Sequence, residues 1–109
     1  MAKTMTIKYD GQEYTLEYTR NSIKKMEAKG FEIDKVASKP MTMLPALFEG
    51  AFLAHHSNVA PSKISEIFAD LPDKEKLVDM LAVMYNEPFE TLLETPKESK
   101  GNASWGTNW

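Results

Sequence analysis

The sequence predicts an α+β fold: an N-terminal β-hairpin packed on a bundle of four to five helices, with a buried central helix at about 43–57. Three observations carry that prediction. Two runs of alternating polarity flank Asp10-Gly11. The segments after them place apolar residues at helical spacing. One stretch, MTMLPALFEGAFLAHH from Met41 to His56, is apolar nearly all round, as a helix enclosed by other elements is. With Pro45, Glu49 and Gly50 inside it, that stretch falls short of the ~20 apolar residues a membrane span requires.

Thr4 to Tyr9 alternates Met5, Ile7 and Tyr9 against Thr6 and Lys8, and Glu13 to Tyr18 alternates Tyr14, Leu16 and Tyr18 against Glu13, Thr15 and Glu17. An Asp-Gly pair between such runs marks a tight hairpin, because the turn requires positive φ. A lone hairpin is not stable in water, so its apolar face must lie on the helices that follow. Thr19 suits the N-cap of a helix over Arg20 to Lys29, with Ile23 and Met26 inward. Gly30 and Phe31 suit the left-handed residue and the apolar contact of a Schellman ending on Met26. Phe31 to Pro40 reads as a connector with one turn of helix, stopped by Lys39-Pro40. Thr42 is the expected cap of the central helix and Pro45 falls in its first turn. Gly50, costly in mid-helix by ~1 kcal/mol, marks the close approach of a neighbour.

Pro61 or Ser62 opens a shorter helix with Ile64, Ile67, Phe68 and Leu71 inward, broken by Leu71-Pro72. Asp73 suits the cap of the next, whose stripe is Leu77, Met80, Leu81, Met84 and Tyr85. Pro88 predicts a kink or an end near Asn86, followed by a second short helix capped by Asn86 and carrying Phe89, Leu92 and Leu93. From Thr95 the chain is polar and aperiodic. The expected organisation is a single globular domain over 1–94 and a flexible tail over 95–109.

The chain is 42% hydrophobic and 27% charged, which fits a globular domain and argues against wholesale disorder. It contains no cysteine, so neither disulfides nor thiolate metal sites are available. The opening MAKTMTIKYDG lacks the apolar core of a secretory signal, so a cytoplasmic location is expected. Six Lys or Arg stand against three acids over 20–39, and eight acids against two lysines over 66–94. This asymmetry is either two solvated faces or the means of head-to-tail contact between copies. A concentrated positive face for nucleic acid is missing.

The residues offer little for catalysis. His55 and His56 are adjacent, so on a helix they point about 100° apart and do not chelate one ion. No Gly-x-Ser-x-Gly elbow, phosphate loop or GxGxxG occurs. No metal, cofactor or enzymatic activity is therefore expected. The seven methionines read as core filling ahead of a binding groove. Trp105 and Trp109 stand out in a polar tail, either folding back on the domain or serving as a linear motif for a partner.

Four blocks in order carry a family resemblance: IKYDGQEYTLEYTRNSIKKMEAKGF, KPMTMLPALFEGAFLAHH, DKEKLVDMLAVMYNE and GNASW. Together they resemble the small tail assembly chaperones of long-tailed (siphophage-type) phages and prophages of Gram-positive bacteria. KP-x-T-x-L-P-x-LFEGAF is the most distinctive, while the GTNW ending departs from the pattern. The resemblance implies a non-enzymatic protein that coats the tape measure protein and keeps it soluble during virion morphogenesis. It implies action in the host cytoplasm and absence from the mature virion. It also implies self-association and a longer frameshifted form that meets the major tail tube protein. Contact with nucleic acid or membrane is not implied. Phe48, Phe52, Trp105 and Trp109 are the expected partner-binding residues, with the hairpin edge or a groove beside the central helix as the contact surface. A small phage or prophage DNA-binding regulator is the alternative, with Ile64 to Tyr85 imitating a helix-turn-helix. Its second helix is acidic where a recognition helix is basic or neutral.

Overall fold

The computed structural model of the protein describes residues 3–92 and 105–109. An antiparallel hairpin of β1 (Thr4–Tyr9) and β2 (Gln12–Glu17) is followed by α1 (Arg20–Ala28), a 3₁₀ turn (Ile33–Lys35), α2 (Pro40–Gly50), α3 (Pro61–Asp70) and α4 (Lys74–Leu92). The architecture is the expected α+β one, with four α-helices among the described residues.

Asp10 and Gly11 both take positive φ, 51° and 80°, which closes the two-residue turn and fixes the register Ile7↔Tyr14 and Met5↔Leu16. That register puts Ile7, Tyr14 and Leu16 on one buried face. α1 is bounded as its sequence dictates. The Thr19 side chain accepts from the Ser22 amide (3.0 Å), and Ser22 Oγ accepts in return from the Thr19 amide (2.9 Å). At the other end Gly30 adopts φ 96°, its amide donates to Glu27 O (2.9 Å), and the Phe31 amide donates to Met26 O (3.0 Å). These are the two bonds of a Schellman motif.

The central helix differs from expectation at both ends. It begins at Pro40, the residue expected to stop a helix, because a proline at the first helical position needs no amide and has its φ preset. Thr42 therefore lies inside the helix, and so does Pro45, which faces solvent. It ends at Gly50 instead of near 57. There the hairpin takes two of its carbonyls: Tyr18 Oη donates to Leu47 O (2.6 Å), and the Glu17 amide donates to Ala51 O (3.0 Å). The next amides shift to i−3 partners, Ala51 to Phe48 O and Phe52 to Glu49 O (both 3.1 Å), so the chain tightens into turns through His55. Enclosure is also one-sided. Met43, Leu47 and Phe48 are buried, while Met41 is 91% exposed.

Gly50 marks a close approach, as its position predicts. A Cβ there would lie 2.8 Å from Met26 Cγ and closer still to its Sδ and Cε. Only the absence of a side chain lets α1 and α2 pack at this distance.

α4 runs unbroken through Pro88, where a kink or an end and a separate short helix were expected. The proline removes the amide that would bond Met84 O, yet tertiary contacts hold the helix on both sides. Lys3 reaches Glu87 with its amide and its Nζ (both 3.1 Å). Arg20 Nη2 donates to Thr91 O (3.1 Å). The Tyr85 and Phe89 rings pack with centroids 5.3 Å apart. Asp73 has φ 57° and lends its carbonyl to the Leu77 amide, but that φ lies outside the extended backbone of a capping residue. Met80, assigned to the core stripe, is 43% exposed.

One apolar cluster joins the hairpin and all four helices. Of the expected tail, residues 95–104 lie outside the described residues, and 105–109 have no regular secondary structure.

Candidate interaction surfaces

The four residues singled out for partner binding divide into two pairs. Phe48 and Phe52 are 1% exposed each and pack ring to ring (centroids 5.2 Å), with Phe68 and Tyr14 as further neighbours. They present no surface to a partner, because Phe52 packs on Tyr14 of the hairpin and Phe48 on Phe68 of α3. Trp105 and Trp109 are 88% and 100% exposed.

His55 and His56 point to different partners on the outer edge of β2. His55 Nε2 donates to Glu17 Oε1 (2.7 Å), while the Thr15 amide donates to His56 Nε2 (2.9 Å). The acceptor role leaves the His56 proton on Nδ1. The His56 ring also stands edge-on to Tyr14 (5.3 Å). No group of three or more His, Cys, Asp or Glu side chains able to hold a metal ion occurs among the described residues.

This arrangement treats the hairpin's two edges differently. On β2 the outward amides of Thr15 and Glu17 are satisfied by His56 and Ala51 O. On β1 the matching outward residues are Thr6 and Thr4, with Lys8 beside them, and all three are exposed. Among the described residues no partner meets their outward backbone groups. Periodicity does not reveal these contacts, since each joins residues about forty positions apart.

Two clefts flank α1. The first, about 180 Å³, lies beside α2 and is lined by Met26, Phe31, Met43, Ala46 and Leu53, with Lys29 and Glu49 among its polar residues. Exposed Met41 lies on the same helix. The second, about 320 Å³, lies between α1 and the end of α4, with Ile23, Pro88, Phe89 and Leu92 as apolar lining and Arg20, Lys24 and Glu27 as its charged residues. Phe89 and Leu92 are 42% and 54% exposed there. The unbroken course of α4 past Pro88 is what brings them to α1.

Three tyrosines hold their protons more tightly than usual. Burial, with a smaller effect from Tyr85, pushes the Tyr18 phenol far up. Burial and then Glu27 push Tyr85 up to about 12. Tyr9 rises to about 12, mainly because its hydroxyl donates to Asp70 Oδ2 (2.6 Å). The Tyr9 hydroxyl ties the hairpin to Asp70 of α3, and the Tyr18 hydroxyl ties it to the Leu47 carbonyl of α2.

Fold and surface together define a small α+β protein whose distinctive features are apolar clefts, exposed aromatic rings and an open strand edge. The chain belongs to the family described as Domain of unknown function (DUF5055), whose family model matches residues 1–109. No curated protein and no solved structure matches it. Among the described residues no helix is long and apolar enough to cross a membrane.

Proposed function

We propose that this protein is a non-enzymatic tail assembly chaperone that coats the tape measure protein of a long-tailed phage or prophage. It keeps that long helical client soluble in the host cytoplasm until tail tube subunits replace it, and it is absent from the finished virion. The supporting observation is the cleft beside α2. Its lining of Met26, Phe31, Met43, Ala46 and Leu53 offers apolar and adaptable side chains to a passing helix. The residues most like those of the chaperone family, KPMTMLPALFEGAF, supply one wall of it. Weak contacts repeated by many copies along one client give high avidity. A longer frameshifted form carries the link to the major tail tube protein.

Co-expression with the large helix-rich protein encoded downstream tests this reading. The client is expected to be soluble only alongside this chain, with many copies bound, and to precipitate when the chain carries Ala46→Glu. A client equally insoluble with and without the wild-type chain would remove the chaperone reading. A client that Ala46→Glu still rescues would remove the cleft. The DNA-binding alternative gains nothing from α4, whose exposed residues include Glu75, Asp79 and Glu90.

A further inference from the structure

We infer that the cleft between α1 and the end of α4 is a receptor for a C-terminal tryptophan of a second copy of this chain. Three observations converge on it. The cleft is apolar at Ile23, Pro88, Phe89 and Leu92, and its 320 Å³ lies at the small end of the roughly 300–1,000 Å³ typical of binding pockets. That volume takes one ring system. Arg20 and Lys24 stand at the same cleft, and cations beside an apolar slot favour the face of an indole over an aliphatic side chain. The chain itself carries two indoles, Trp105 and Trp109, and both stand in solvent, clear of their own copy's cleft.

The reach is adequate. Leu92 lines the cleft, and Trp105 comes thirteen residues after it. At ~3.3–3.6 Å per residue an extended segment of that length spans roughly 45 Å, enough to enter a neighbouring copy. Docking tail into cleft is heterologous: each copy gives an indole to one neighbour and receives one from another, so copies join in open rows or closed rings. The inference does not depend on the identity of any client.

The chain contains no other tryptophan, so its indole emission reads the tail alone. A donor full chain with Phe89→Ser and Leu92→Ser keeps its indoles and loses its cleft. An acceptor full chain with Trp105→Ala and Trp109→Ala keeps its cleft and emits no tryptophan signal. Circular dichroism confirms that each is folded, which is expected because all four side chains are exposed. Titrating acceptor into donor should shift the donor emission to the blue, saturably. The wild-type chain should show the same shift as its concentration rises from low micromolar to hundreds of micromolar. Lys24→Met in the acceptor keeps the apolar stem and should weaken the titration about two- to fivefold through loss of the cation. Donor emission that stays at the solvent value throughout would overturn the inference. So would a wild-type blue shift that survives dilution unchanged, which would place the indoles on their own chain. A shift that persists with an acceptor also carrying Phe89→Ser and Leu92→Ser would move the contact to another surface and overturn it equally.

Discussion

Phe48 on α2 and Phe52 just past its end, and Trp105 and Trp109 near the end of the chain, are aromatic residues in opposite surroundings. The first pair is 1% exposed and belongs to the ring cluster that joins α2 to the hairpin and α3; the second is 88% and 100% exposed. The difference teaches that an aromatic side chain marks a contact without saying with whom. Inside a helix whose neighbours are all in the same chain, the contact is internal. At Trp105 and Trp109 the rings stand exposed and are available to another molecule.

Substitutions can break this division or sharpen it. Phe48→Ala removes a ring from the closed side and should lower unfolding free energy by about 3–5 kcal/mol. Urea denaturation reads that loss, and an unchanged midpoint would mean the ring is not part of the core. Gly50→Ala forces a methyl group against Met26 and should destabilise by about 1–3 kcal/mol. Pairing it with Met26→Ala should give less than the sum of the two single losses, because both act on one contact. Tyr18→Phe leaves the buried Leu47 carbonyl without its 2.6 Å donor and should lower stability by about 1–3 kcal/mol at neutral pH. Trp105→Ala with Trp109→Ala sits at the other extreme. It should change the unfolding free energy by no more than about 0.5 kcal/mol while abolishing association through the cleft between α1 and α4.

Tyr18 also carries a pH signature. Its folded phenol, like that of Tyr85, titrates above the ordinary tyrosine value of 10.0. The unfolded chain therefore releases these protons first as pH rises. Their contribution to stability is complete below about pH 10 and is lost progressively above it, through the Tyr85 value of about 12. Denaturation midpoints measured on either side of pH 10 should fall steeply for the wild-type chain and less steeply for Tyr18→Phe. Equal slopes would show that Tyr18 does not retain its proton.

What the sequence makes legible is what neighbouring residues decide among themselves. Asp10-Gly11 closes its own turn, Thr19 caps its own helix, and Gly30 with Phe31 ends it, so these features follow from spacing alone. The end of α2 does not, because distant hairpin groups, the Tyr18 hydroxyl and the Glu17 amide, take its carbonyls. The continuation of α4 through Pro88 is hidden for the same reason. Its supports, Lys3 and Arg20, lie more than seventy positions away. Among the candidate contact residues, spacing identifies the aromatic ones but not their surroundings. Phe48 and Phe52 read as candidates only until α3 and the hairpin are seen to cover them.

The histidine that receives the Thr15 amide has one more consequence. A sheet can be lengthened sideways only where a strand offers free backbone groups; here His56 and Ala51 take two amides of one border, while among the described residues nothing meets Thr4, Thr6 and Lys8 on the other. The hairpin therefore offers β1 to a further strand more freely than β2. Two copies joined along β1 would make four strands whose outer margins carry the Thr15 and Glu17 amides already taken by His56 and Ala51.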